Sequence, residues 1–202
     1  MSKTLAIVLH NVRASEKVSI VHLLTREYGR KAYYVYGGKR KGKAVLFTPL
    51  ALLEIDDKHK PNRETGTLQD FSLTYIPQSI TTDIRRTTIA LFIAEILYRT
   101  ITQPETDIQL FDFVKDTVIR LDTALVPENT HIAFLIDYIA LLGFAIDRES
   151  ADNAGLVRSI EKQNCSRQER QTQLDELMQY YSRHIPNFVI PKSLDVLKQV
   201  FD

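Results

Sequence analysis

A chain of 202 residues, 44% hydrophobic and 25% charged, is long enough to bury a real core and has the composition of an ordinary soluble globular protein. Its single cysteine, Cys165, excludes an internal disulfide framework and any multi-cysteine zinc site, and fits a reducing cytoplasm. No apolar run approaches the roughly 20 residues that span a bilayer, and the short apolar stretch in MSKTLAIVLHNVR is followed by no cleavage site of a secretion signal. The net charge of +1 conceals an asymmetry. Met1 to Gln78 holds thirteen Lys or Arg against seven Asp or Glu (+6), and Ser79 to Asp202 holds thirteen against eighteen (−5). A basic first part joined to an acidic second part is a two-domain signature, with boundaries expected at 1–78 and 79–202 and nucleic acid expected on the basic part.

In chain order, Thr4 to Val12 alternates with period two, Leu5, Ile7 and Leu9 on one face and Ala6, Val8 and His10 on the other, and reads as a strand. Val18 to Leu24 and Lys31 to Tyr36 are β-rich runs on either side of the turn Arg26-Glu27-Tyr28-Gly29. Gly37 to Lys43 is a glycine-punctuated basic connection. Pro49 cannot donate to a ladder, so a bulge or edge is expected there, with a strand at Leu50 to Ile55. Asp56 to Gly66 is a polar tip, and Leu68 to Tyr75 is the fifth strand. Five short strands within about eighty residues predict a small closed barrel of the OB type.

After Pro77 the period becomes helical. Asp83 caps a helix whose stripe is Ile89, Phe92, Ile93, Ile96, Leu97 and Ile101. Phe111, Val114, Val118, Leu121 and Leu125 form a second stripe, ended by Pro127. Thr130 to Ile146 is apolar almost all round, which marks a central helix. Asp147 to Arg167 reads as a loop or weak helix; Leu174, Leu177, Met178 and Tyr181 mark another helix, and a last one starts near Ser193. The fold class is therefore α+β, a five-stranded OB barrel followed by an all-α domain.

No phosphate loop, HExxH, GxSxG or paired-carboxylate motif is present, and His10, His22, His59, His131 and His184 are scattered without ligand spacing. This predicts a protein that is not an enzyme and carries no metal or cofactor. His22 and His131 are expected on partly buried elements, and Asp112, Asp116 and Asp122 in solvent. The signal that stands out lies between Tyr28 and Lys43. That stretch holds Arg30, Lys31, Lys39, Arg40, Lys41 and Lys43, four tyrosines and no acidic residue. Cations interleaved with aromatic faces suit single-stranded nucleic acid, whose phosphates need charge and whose bases stack. The alternative is a solvated loop after an edge strand, with tyrosines filling the barrel. Side chains alternate along a strand, so the adjacent tyrosines cannot all be core. The candidate contacts are Lys39, Arg40, Lys41 and Lys43, flanked by Arg13, Arg26, Arg30 and Lys31, with Tyr34 and Tyr36 available for stacking.

These residues resemble the bacterial recombination mediator family RecO. The turn Thr25-Arg26-Glu27-Tyr28-Gly29-Arg30 is similar to that family's T-E-x-x-G-R, and Tyr36-Gly37-Gly38-Lys39-Arg40 stands where it has K-G-x-R, with tyrosine for lysine. Phe92 to Leu97, Leu141-Leu142-Gly143-Phe144 and Pro191-Lys192-Ser193-Leu194 are similar to its helical landmarks in the same order. The resemblance implies binding of single- and double-stranded DNA and annealing of complementary strands. It also implies partnership with RecR, help to RecA in replacing the single-stranded DNA-binding protein, and a cytoplasmic, nucleoid-associated location. Two features depart from the family. The four-cysteine zinc module is missing from Asp147 to Gln163. His131 and Ile132 stand near the place where arginines help seat the acidic tail of the single-stranded DNA-binding protein.

Overall fold

The computed structural model describes residues 2–36, 47–57, 65–102, 106–160 and 166–201. Strands β1 (Ser2–Arg13), β2 (Val18–Thr25), β3 (Gly29–Tyr36), β4 (Leu52–Asp57), β5 (Thr65–Thr67) and β6 (Phe71–Leu73) form one sheet in the order β5-β3-β2-β1-β4-β6. All neighbours are antiparallel except β3 and β5, which run parallel. β5 and β6 lie at opposite edges, yet only three residues separate them in sequence, a reach of at most about 15 Å. The sheet must therefore curl until its edges nearly meet. Leu68 N–H bonds Tyr34 C=O at 2.9 Å and Asp56 N–H bonds Asp70 C=O at 3.2 Å along this seam. The fold is α+β with an OB-type barrel, but the sheet has six strands and, against the expected closed barrel, its edge strands β5 and β6 do not pair with each other. The fifth strand expected over Leu68 to Tyr75 is two short ones, because a single stretch serves both edges.

Two cores share the strands. Ala6, Val8, Val21, Leu23, Tyr33, Leu53 and Ile55 fill the barrel. Ile7, Leu9, Leu24, Leu50 and Leu52 point outward and merge with the helical core. β1 is thus buried on both faces over much of its length, which is why TLAIVL is an almost unbroken apolar run. Its strict alternation fails at one place. Val8 pairs with Leu23 but His10 pairs with His22, so Leu9 is an extra residue in a β-bulge. The bulge moves His10 from the inward phase to the outer face beside His22. Around Pro49 the chain turns before β4: Ala51 N–H returns to Thr48 C=O at 3.1 Å, and Leu50, at φ 62°, donates to Val8 C=O at 2.8 Å. The strand consequently begins at Leu52 and not at Leu50.

The helices are α1 (Ile84–Thr100), α2 (Ile108–Thr123), α3 (Thr130–Leu141), α4 (Ala154–Ile160), α5 (Arg167–His184) and α6 (Ser193–Val200). Asp83 caps α1, its carboxylate accepting from Arg85 N–H, and Ser166 with Glu169 forms a capping box on α5. α3 stops short of the expected Ile146. Gly143 takes φ 88°, and the bonds Phe144 N–H to Ile139 C=O and Gly143 N–H to Ala140 C=O close a Schellman motif. α4 occupies part of the segment read as loop or weak helix. No helix among the described residues is long and apolar enough to cross a membrane.

Asp122, expected in solvent, is 4% exposed. One of its oxygens accepts from Tyr75 Oη at 2.6 Å and Gln78 N–H at 2.9 Å; the other accepts from Ser79 N–H at 2.7 Å and Ile80 N–H at 2.9 Å. α2 thereby grips the connection between barrel and helices. The helical stripe places Asp122 next to Leu121, and a buried carboxylate is tolerated because four donors converge on it. Buried Arg86 on α1 closes the same corner, donating to the C=O of Leu121 and Ala124.

Candidate nucleic-acid interface

β3 sorts its tyrosines by parity. Tyr33 is 1% exposed inside the barrel, whereas Tyr34 and Tyr36 are 36% and 62% exposed on the outer face. Register sets their neighbours: Val18 stands opposite Tyr36, Ile20 opposite Tyr34 and Val12 opposite Ile20. The free end of β1-β2-β3 is therefore a solvated patch of Tyr34, Tyr36, Val12, Val18 and Ile20. Val12, Val18 and Ile20 were not among the sequence candidates; the alternation of β2 with β3 is the signal that could have found them. The outer face of strands 2 and 3 is where OB barrels receive oligonucleotides. Beyond Tyr36 the sequence continues directly into Lys39, Arg40, Lys41 and Lys43, which lie outside the described residues.

The flanking cations have distinct surroundings. Arg13 is exposed at the end of β1, where its Nε donates to Ser15 C=O at 3.3 Å. Lys31 lies over the Tyr28 ring, 4.4 Å from its centroid. Arg26 reaches away from the tyrosines to Asp112, at 3.3 Å. Asp112, also expected in solvent, is half-buried between Arg26 and Lys115, and the hydrogen bonds from these two cations hold its carboxyl below the usual range. Arg30 is half-buried. One of its nitrogens donates to Tyr98 C=O at 2.8 Å and to Ile101 C=O at 2.5 Å, and its guanidinium lies 4.3 Å from the Tyr98 ring centroid. It closes the C-terminus of α1, where unpaired carbonyls and the helix dipole favour a cation.

One turn of outer face connects the tyrosine patch to that helix end. His10 is exposed and His22 half-buried, their ring centroids 6.1 Å apart; Tyr98 lies 4.5 Å from His10 and 5.0 Å from His22. Desolvation, followed for His22 by Arg30, lowers both imidazoles below the ordinary value. Among the described residues no cluster of three His, Cys, Asp or Glu could hold a metal ion. The arrangement offers aromatic faces, apolar contacts and cations rather than a nucleophile with its base.

Comparison with known proteins matches the chain in two stretches. Residues 1–76 match the family model described as Recombination protein O N terminal, and residues 81–151 match Recombination protein O C terminal. A protein named DNA repair protein RecO from Porphyromonas gingivalis is 33% identical, the match covering 98% of each chain. Proteins of the same name from Bacteroides fragilis and Flavobacterium johnsoniae are each 31% identical, over 100% and 98% of both chains. On full-length similarity at this level, and with both halves matched in order, the chain belongs to the RecO family.

Proposed function

We propose that this protein is a non-enzymatic recombination mediator in DNA repair. It binds single- and double-stranded DNA, anneals complementary strands, and with RecR assists RecA in displacing the single-stranded DNA-binding protein. Family membership supports the repair role. The observation that carries the DNA contact is the outward pair Tyr34 and Tyr36 on a half-apolar sheet face, leading straight into Lys39-Arg40-Lys41-Gly42-Lys43. Bases stack on the rings while the cations hold phosphates, each stacked base contributing about 1–3 kcal/mol. Annealing needs no bond chemistry: neutralised phosphates repel less, and the duplex supplies the driving free energy. Arg13 and Lys31 are the flanking contacts best placed to help; Arg26 and Arg30 first meet Asp112 and the end of α1.

The test is charge reversal of Lys39, Arg40, Lys41 and Lys43 together, with fluorescence titration of oligonucleotides over a salt series and an annealing assay. Binding weakens, and the slope of log K against log salt flattens by up to about 3 units, at roughly 0.7 per phosphate for single strands. Unchanged affinity and slope would rule the assignment out. A second reading, an adaptor whose helical half binds protein, draws on apolar side chains left in solvent: Ile84, Leu125 and Val126 are 66%, 98% and 68% exposed. It predicts no binding of single-stranded DNA at moderate salt but retention of purified RecR.

A further inference from the structure

The outer face of the barrel does not end at the tyrosines. Past Ile20 and Val12 come His22 and His10, paired across β2 and β1, and past them the end of α1. Neither imidazole has a hydrogen-bond partner among the described residues, although both rings are fixed by their contacts with Tyr98. His10 is exposed, and the nitrogens of His22 are not among the buried polar atoms left without a partner, so both imidazoles are open to solvent and to a ligand.

Resting on the DNA reading above, we propose that His10 and His22 are binding residues that continue the single-strand track from the Tyr34–Tyr36 patch to the end of α1, where their imidazoles pair with the phosphodiester chain. The charges around them fit this ligand. His10 faces Glu95, Arg30 and Arg99; His22 faces Arg30 and His10. The one carboxylate in the set is already occupied: Glu95 accepts from Arg99, from the N–H groups of Lys192 and Ser193 and from Ser193 Oγ. A second positive charge on this patch is unfavourable until an anion arrives. Burial first disfavours the protonated rings in the free protein, with Glu95 opposing it and Arg30 and Arg99 adding to it at His10, and Arg30 adding to it at His22. A bound phosphate raises their proton affinity, and by linkage affinity for DNA rises as pH falls.

The experiment titrates full-length protein with fluorescent oligo-dT, whose bases do not titrate in this range, at pH 8.0, 6.5 and 5.5 and fixed ionic strength. The wild type is expected to bind about tenfold tighter at pH 5.5 than at pH 8.0, equivalent to about one unit of total pKa coupling. The His10→Gln/His22→Gln variant should lose that gain while keeping the wild-type urea midpoint at pH 8.0. His10→Lys should restore the low-pH affinity at pH 8.0. A double variant with the wild-type pH profile would overturn the proposal. If that variant binds normally while Tyr34→Ala/Tyr36→Ala does not, this inference alone fails. If the wild type binds at no pH, the DNA reading itself falls.

Discussion

Replacing Asp122 tests the account of how barrel and helices are held together. Asp122→Ala removes one carboxylate and leaves four donors that had converged on it: Tyr75 Oη and the N–H groups of Gln78, Ser79 and Ile80. Gln78 is exposed, so its N–H regains water; Tyr75 and Ser79 are half-buried and Ile80 is buried. At about 1–3 kcal/mol for each sheltered donor left unpaired, with some relaxation, the loss is about 3–5 kcal/mol. Asp122→Asn should lose about half as much, because its amide can donate to a rotated Tyr75 hydroxyl while its oxygen keeps Ser79 and Ile80. Urea denaturation followed by circular dichroism measures both, the midpoint moving at unchanged slope. The wild type should also show a matching pH signature. Burial raises the Asp122 carboxyl but the four donors outweigh it, so its pKa is lowered, while the same bond pushes Tyr75 up to about 12. The Asp122 contribution is present above the ordinary aspartate range and fades as pH falls below it. The Tyr75 contribution is present below about pH 10 and fades toward about 12. A loss under about 1 kcal/mol for Asp122→Ala would refute the clamp.

Three further substitutions probe other joints. Glu95→Gln should loosen the start of α6 by about 2 kcal/mol, seen as faster amide exchange there; burial raises this carboxyl, but Ser193, Arg99 and Lys192 together bring it down to about 2, so the stabilisation holds above the ordinary glutamate range and is lost as pH falls toward 2. Arg30→Met should lower stability by about 2–3 kcal/mol through the lost carbonyl bonds and ring contact, measured by urea denaturation. Burial, with Arg170 adding, pushes His131 down to about 3, so wild-type stability should fall as pH drops from the ordinary imidazole range toward 3. His131→Leu should make that slope shallower in acid unfolding measured by fluorescence, the remainder coming from Asp122, Glu95, His10 and His22.

The parts of the fold that were legible are those governed by local periodicity. β1 to β3 fall within two residues of expectation, and Asp83, Pro127 and Ser193 mark helix starts or stops where a cap or a missing N–H demands them. What was not legible depended on partners distant in sequence. The split of the fifth strand follows from two sheet edges meeting, which no window of residues contains. Asp122 reads as a solvent residue until the donors of residues 75–80, more than forty positions away, are brought to it. At the site, alternation announced that the tyrosines must divide between faces, and Tyr33 lies inside while Tyr34 and Tyr36 lie outside. It gave no sign that Arg30 would serve a helix end rather than open solvent, since that role depends on where α1 stops.

The bulge at Leu9 sets the phase of everything downstream on β1. Residues before it obey one parity and residues after it the other, so the outward positions of His10 and Val12 require Leu9 to stand outside the regular ladder. Excising Leu9 would leave regular pairing, Val8 with Leu23 and then His10 with His22, and His10 and Val12 would still face outward. Drawing Leu9 into the ladder as an ordinary paired residue would instead rotate both into the barrel lumen and turn Asn11 outward, while the first half of the strand, locked against β4, stayed where it is. A one-residue slip in pairing, rather than any change of sequence, thus separates a sheet face that presents rings and methyls from one that presents an amide.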